Sequence, residues 1–264
     1  ILKAKINFKS ELNLKNLSKI NFEEKNISNT TVLFDNKEYE LHELFKIQVQ
    51  KSEENELIIF GTNKNCDYLG WKWEKGILRI KSDVGSFLGV QMLNGKIIVE
   101  GSSGHHVGSA MTGGKIFIKS NANDFVGSPL PGRKIGMNGG LIVIHGKAGD
   151  FLGLQMRRGI IFVGDDVGND CCNNMIAGTV ILKKNFGNQF GFGMKRGTVI
   201  LVNKEFKSKN FVETGESEHL FLSLLNNYFI KVLSLKPFGK KDKFTRLVGD
   251  IKSDGMGEIF VKLD

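Results

Sequence analysis

A glycine returns every nineteen residues along the middle of the chain, as Gly76, Gly95, Gly114, Gly140, Gly159, Gly178 and Gly197. Only the step from Gly114 to Gly140 differs; it spans twenty-six residues, one unit plus a seven-residue insertion within Ser128 to Gly136. A fixed period near twenty marks a stacked repeat, because one such unit cannot bury its apolar face alone and needs neighbours to complete a core.

Counting from each anchor glycine, the second and fourth places are Leu78/Ile80, Ile97/Val99, Ile116/Ile118, Ile142/Ile144, Ile161/Val163, Val180/Leu182 and Val199/Leu201. Branched aliphatics at period two predict a strand with one buried face. Two further apolar columns follow, one twelve places after the anchor (Leu88, Val107, Val126, Leu152, Cys171, Phe190) and one of methionines three places before the next anchor. Nineteen residues are too few for a β-α-β crossover, so the fold class predicted is all-β, a right-handed parallel β-helix of about seven or eight coils stacked about 4.8 Å apart. Residues 1–56 read as an N-terminal β cap segment, with a turn at Asp35 to Lys37. Residues 57–204 read as the β-helix, opened by a degenerate first coil, and 205–264 as a C-terminal helix and strand tail in which Leu247-Val248-Gly249-Asp250 is a turn.

Glycine also recurs nine places after the anchor (Gly85, Gly104, Gly149, Gly168, Gly187, with Asn123 in the remaining unit) and thirteen places after it (Gly89, Gly108, Gly127, Gly153, Gly191, with Cys172 as the exception). The asparagine substitution predicts positive φ for the first column, and the cysteine predicts close packing for the second. The third place after the anchor should face solvent, yet it reads Ile98, Phe117, Val143, Phe162, Ile181 and Ile200. An outward apolar stripe of this length needs a cover. The spacing of Leu220, Phe221, Leu224, Leu225, Tyr228, Phe229 and Val232 predicts a capping α-helix over Ser217 to Leu235 that covers part of it, with partner subunits covering the rest.

Several functions find no support. A net charge of +9 permits an acidic partner, but no nucleic-acid motif or interleaving of basic and stacking aromatic residues accompanies it. No run of eighteen apolar residues and no secretion-signal zones occur, so a cytoplasmic location without membrane contact is expected. Gly187 to Gly197 looks like a phosphate loop, but its glycines fill repeat positions and no lysine-serine or lysine-threonine pair follows. His105, Asp124, Asp150, Asn169 and Asn188 form one column, with His106 and His145 nearby, yet Asp and Asn are expected in turns and the spacing is not that of metal ligands. No metal or catalytic residue is assigned. Cys171-Cys172 invites a redox reading, but Cys171 falls in the inward apolar column, where cysteine acts as a small hydrophobe.

The remaining candidate is a basic edge. Arg157-Arg158 and Lys195-Arg196 precede their anchors two coils apart, and Arg133-Lys134 lie in the insertion. The edge is either a solvated surface or a contact for an anionic carrier or partner.

Pro131-Gly132, Gly136-Met137-Asn138-Gly139-Gly140, Gly149-Asp150-Phe151-Leu152-Gly153, Met156-Arg157-Arg158-Gly159, Met175-Ile176-Ala177-Gly178-Thr179 and Gly191-Phe192-Gly193-Met194-Lys195-Arg196-Gly197-Thr198 resemble the C-type subunit of formylmethanofuran dehydrogenase. The tail resembles the branch found in bacterial formyltransferase/hydrolase complexes. The same β-helix family includes the C-terminal domain of the glutamate synthase large subunit, which leaves a subunit serving amidotransfer as the alternative. The resemblance implies a scaffold subunit in a hetero-oligomer whose formyltransferase and amidohydrolase-like subunits convert formyl-tetrahydromethanopterin to formate. It also implies a methanofuran-type carrier and tetrahydromethanopterin for the complex, with no cofactor in this chain.

Overall fold

The branched residues after each anchor glycine form the strands Ile77–Ile80, Lys96–Val99, Lys115–Ile118, Asn138–Ile144, Arg158–Val163, Thr179–Leu182 and Thr198–Leu201. The computed structural model describes residues 1–20, 27–50, 53–203, 205–217, 220–239 and 241–263. Successive strands pair in parallel, so that Leu78, Ile97, Ile116, Ile142, Ile161, Val180 and Val199 lie side by side. All seven are at 0% exposure, and a slip of one residue would turn the whole column outward, which fixes the register. The insertion leaves that register intact; Lys115 to Ile118 still pair with Leu141 to Ile144, and the disturbance is confined to a bulge between Asn138 and Leu141.

The protein is mostly β. Its 13-stranded sheet is mostly parallel and does not close on itself, and a second sheet has 4 strands. At the N-terminal end, Glu56–Phe60 pairs in parallel with Ile77–Ile80, Leu2–Ala4 adds beyond it, and Phe45–Ile47 forms the antiparallel edge. The smaller sheet holds the hairpin of Thr31–Phe34 and Lys37–Glu40, whose Asp35 and Asn36 take φ of 51° and 58°. Paired left-handed residues match the twist of a two-residue hairpin, as the sequence predicts there.

At the other end, Gly257–Lys262 extends the parallel ladder beside Thr198–Leu201, and Phe244–Gly249 and Phe211–Ser217 follow antiparallel. Leu247, Val248 and Gly249 are therefore strand rather than the predicted turn. Alternating burial holds them in the sheet, and the turn comes after them, with a short 3-10 helix at Ile251–Ser253.

The cover over the outward stripe is the helix Leu220–Leu233. Its Leu222, Leu225 and Phe229 pack with Val143, Phe162, Ile181, Ile200 and Phe260 in a second apolar core. Ser217 ends the preceding strand instead of starting the helix, and residues 218 and 219 lie outside the described ones.

The first secondary glycine column is not the left-handed one predicted; the second is left-handed and also, as predicted, closely packed at Gly89, Gly108 and Gly127, where an added Cβ would come within 2.7 Å of an isoleucine Cδ1. Thirteen places after the anchor, Gly153 has φ 69° and even Cys172 adopts φ 60°, so this column is the left-handed one. Nine places after the anchor, Gly168 is not left-handed, but an added Cβ would overlap the Asp150 carboxylate and come within 2.7 Å of the Asp150 nitrogen. Asp150 belongs to the unit before. Its Oδ1 accepts the Asn169 backbone N–H at 2.7 Å, and the same bond recurs from Asp67 to Ser86 and from Asp124 to Asp150. Asn123 stands where glycine is otherwise found because the unit before it presents His105, which offers no such oxygen.

Candidate functional site: a basic groove

The basic pairs are placed by the ladder itself. Arg157 and Arg158 donate their backbone N–H groups inward to the Met137 carbonyl at 2.9 and 3.2 Å, and Lys195 donates to Met175 at 2.9 Å. With the main chain held that way, the side chains of Arg157, Arg158, Lys195 and Arg196 project into solvent, and all four residues are exposed. The unit between them contributes Ile176, Ala177 and Gly178, half-buried and without charge. Ridges and floor together line an open groove of about 830 Å³, which Ser253, Asp254 and Met256 close at one end.

That end wall was not visible in the sequence. It is held by Asp250, a carboxylate at 0% exposure, which accepts from the Gly193 N–H at 3.1 Å and from the Lys252 N–H at 3.1 Å. The Met256 N–H donates to the Lys195 carbonyl at 2.7 Å, which ties the wall to the basic ridge. Among the described residues, none of the four cations has a carboxylate within ion-pair distance, whereas Lys147, Lys184 and Arg246 are each paired with one. Arg133 and Lys134 are exposed on the insertion and do not line the groove, so the six predicted basic residues form one cluster of four and a separate pair.

The other candidates make contacts within the repeat. His105 faces Asp124 at 3.3 Å, and Asp124, Asp150 and Asn169 each spend an oxygen on the next unit's N–H. Among the described residues no group of three or more His, Cys, Asp and Glu side chains could hold a metal ion. His106 lies in a stack of rings, Tyr68, Phe87, His106, Phe125 and Phe151, with centroids 4.6 to 5.2 Å apart. Its Nδ1 is 3.3 Å from the Ser109 hydroxyl and 3.4 Å from that of Ser128. Burial lowers its pKa first, with His105 adding to the effect and Asp124 opposing it. Cys171 and Cys172 are both at 0% exposure with sulfurs 3.6 Å apart, and burial raises the Cys171 pKa well above its ordinary value. In the phosphate-loop lookalike, the Gly193 N–H is bound to Asp250. Among the described residues no helix is long and apolar enough to cross a membrane.

Fold and groove thus define a repeat of in-register parallel strands with a basic groove at one corner. Residues 70–224 match the model of the GXGXG motif family, and the chain belongs to that family. Over 100% of its length it is similar to a chain in the crystal structure of the formyltransferase/hydrolase complex (FhcABCD) from Methylorubrum extorquens, solved in complex with methylofuran. The TM-score is 0.89, the identity 31%, and 99% of that chain is covered. A search of curated proteins gives no match.

Proposed function

We propose that the chain is the assembly subunit, the counterpart of the C-type subunit, of a cytoplasmic formyltransferase/hydrolase complex of one-carbon metabolism. The observation that carries this reading is the likeness to a chain of such a complex over the full length, including the segments before and after the repeat. A formyltransferase subunit and an amidohydrolase-like subunit would take the formyl group from formyl-tetrahydromethanopterin, by way of a methanofuran-type carrier, and release formate. This chain would contribute no catalytic group. Its nineteen-residue units are read as coils of a right-handed parallel β-helix. The in-register parallel strands, the bridges from Ser103 through Ala122 and Ala148 to Val167, and the ring stack between units support that reading. The segments 1–56 and 205–264 would cap its two ends.

The basic edge is proposed as the contact for an anionic carrier or partner, with Arg157, Arg158, Lys195 and Arg196 forming its groove and Arg133 and Lys134 an outlying pair. Charge reversal at the four groove residues should weaken complex assembly or carrier retention, and unchanged co-purification and activity would sink the assignment. Affinity purification followed by mass spectrometry tests the whole reading. Recovery with formyltransferase and amidohydrolase-like subunits supports it, whereas recovery with glutaminase or flavin domains would favour the amidotransfer alternative.

A further inference from the structure

We infer that the groove between the two basic ridges receives an acidic segment of a partner subunit rather than a small anion; this rests on the assembly reading above. The cations stand in pairs on units that flank a third, so the pairs are about two strand spacings, roughly 10 Å, apart. An occupant with two anionic groups at that separation gives each pair its own partner without drawing the side chains of both ridges together.

The floor is apolar, with Ile160 beside the arginine pair and Ile176 and Ala177 between the pairs, all half-buried, and Met256 stands at the rim at 69% exposure. An occupant that satisfied only the cations would leave this surface wet. Alternating acidic and apolar side chains satisfy both, and a polypeptide supplies them naturally. Exposed methionine and paired arginines are also what adaptable protein interfaces use.

The build of the groove argues against a small ligand. Sites for small molecules enclose most of the ligand's surface and aim a few fixed polar groups into it. Here the groove is open, and all four basic side chains are exposed. Exposed charges of this kind steer association and set register more than they hold a small ion. Beyond Ile160, which lines both, the groove continues into a second of about 400 Å³ beside Tyr228, floored by Gly95, Gly114 and Gly140. A chain-like occupant has room to run on across the units.

The test is made in the intact complex, with Met256 replaced by a photo-crosslinking phenylalanine analogue. The expected product is a crosslink to an Asp- or Glu-bearing peptide of a partner subunit. A second arm reverses the ridges, Arg157→Glu, Arg158→Glu, Lys195→Glu and Arg196→Glu. Affinity for the partner should fall at least tenfold at physiological salt and recover when the crosslinked acids are changed to lysine. Crosslinking only to the carrier, no crosslink in an intact complex, or no recovery on charge exchange would each overturn the inference while leaving the assembly reading standing. If neither partner is recovered with the chain at all, the assembly reading falls and takes the inference with it.

Discussion

The space beside each glycine nine places after an anchor is filled by a side chain from the unit before, which caps the next unit's backbone N–H. Gly168→Ala should therefore cost about 1–3 kcal/mol, the usual penalty for overpacking. The cost should shrink when Asp150→Ala is also present, because the two changes share one contact. Urea unfolding of the two single variants and the double variant checks both points. Spacing alone could not separate this column from the left-handed one, since both read as glycine. What distinguishes them is the side chain of the unit before, eighteen residues upstream of the glycine in the nineteen-residue units, and only His105 opposite Asn123 carries a trace of it in the sequence. His106 supports a second expectation. Its pKa and that of His145 lie below the ordinary value of 6.5, each lowered first by burial, with His105 adding at His106 and Lys119 at His145. As pH falls through 6.5 toward those lowered values, the unfolded chain binds protons that the native one does not, so stability drops. His106→Phe should keep the ring stack and flatten the loss between pH 7 and pH 5, measured as the shift of the urea midpoint.

The helix Leu220–Leu233 has two apolar faces with different tasks. Phe229, at 0% exposure and 5.7 Å from the Phe162 ring, closes the core over the outward stripe, whereas Leu224 at 60% exposure faces away from it. Phe229→Ala should cost about 3–5 kcal/mol. Leu224→Ser should change the stability of the isolated chain by less than about 0.5 kcal/mol. Equal losses in denaturant would contradict this division. The helix was legible because its spacing of three and four is local, and the ladder strands were legible because alternation repeats in every unit. The final strand was legible as a strand but not as the next member of the ladder. Thr198 pairs with Glu258, sixty residues on, outside any repeat register, so the wall it sets beside the basic groove could not be foreseen.

In the whole molecule, the periodic core and the departures from it are separated in space. Inward columns of branched residues and methionine build a uniform core, and the departures from uniformity lie outside it: the insertion, the covered stripe and the groove at the anchor corner. The parallel, mostly-β ladder and the family could be read from the repeat and its motif words, since every unit restates them. The groove could be read only as a list of basic residues, because its depth comes from the small floor residues and from a wall supplied by the tail. If the chain serves to hold a formyltransferase and a hydrolase together, its effect should appear in coupled turnover. Formate release from formyl-tetrahydromethanopterin, measured with the partner subunits reconstituted with and without this chain, decides the matter. Release should be high with the chain and fall sharply without it while each partner subunit keeps its separate activity; equal release in both reconstitutions would contradict the assembly role.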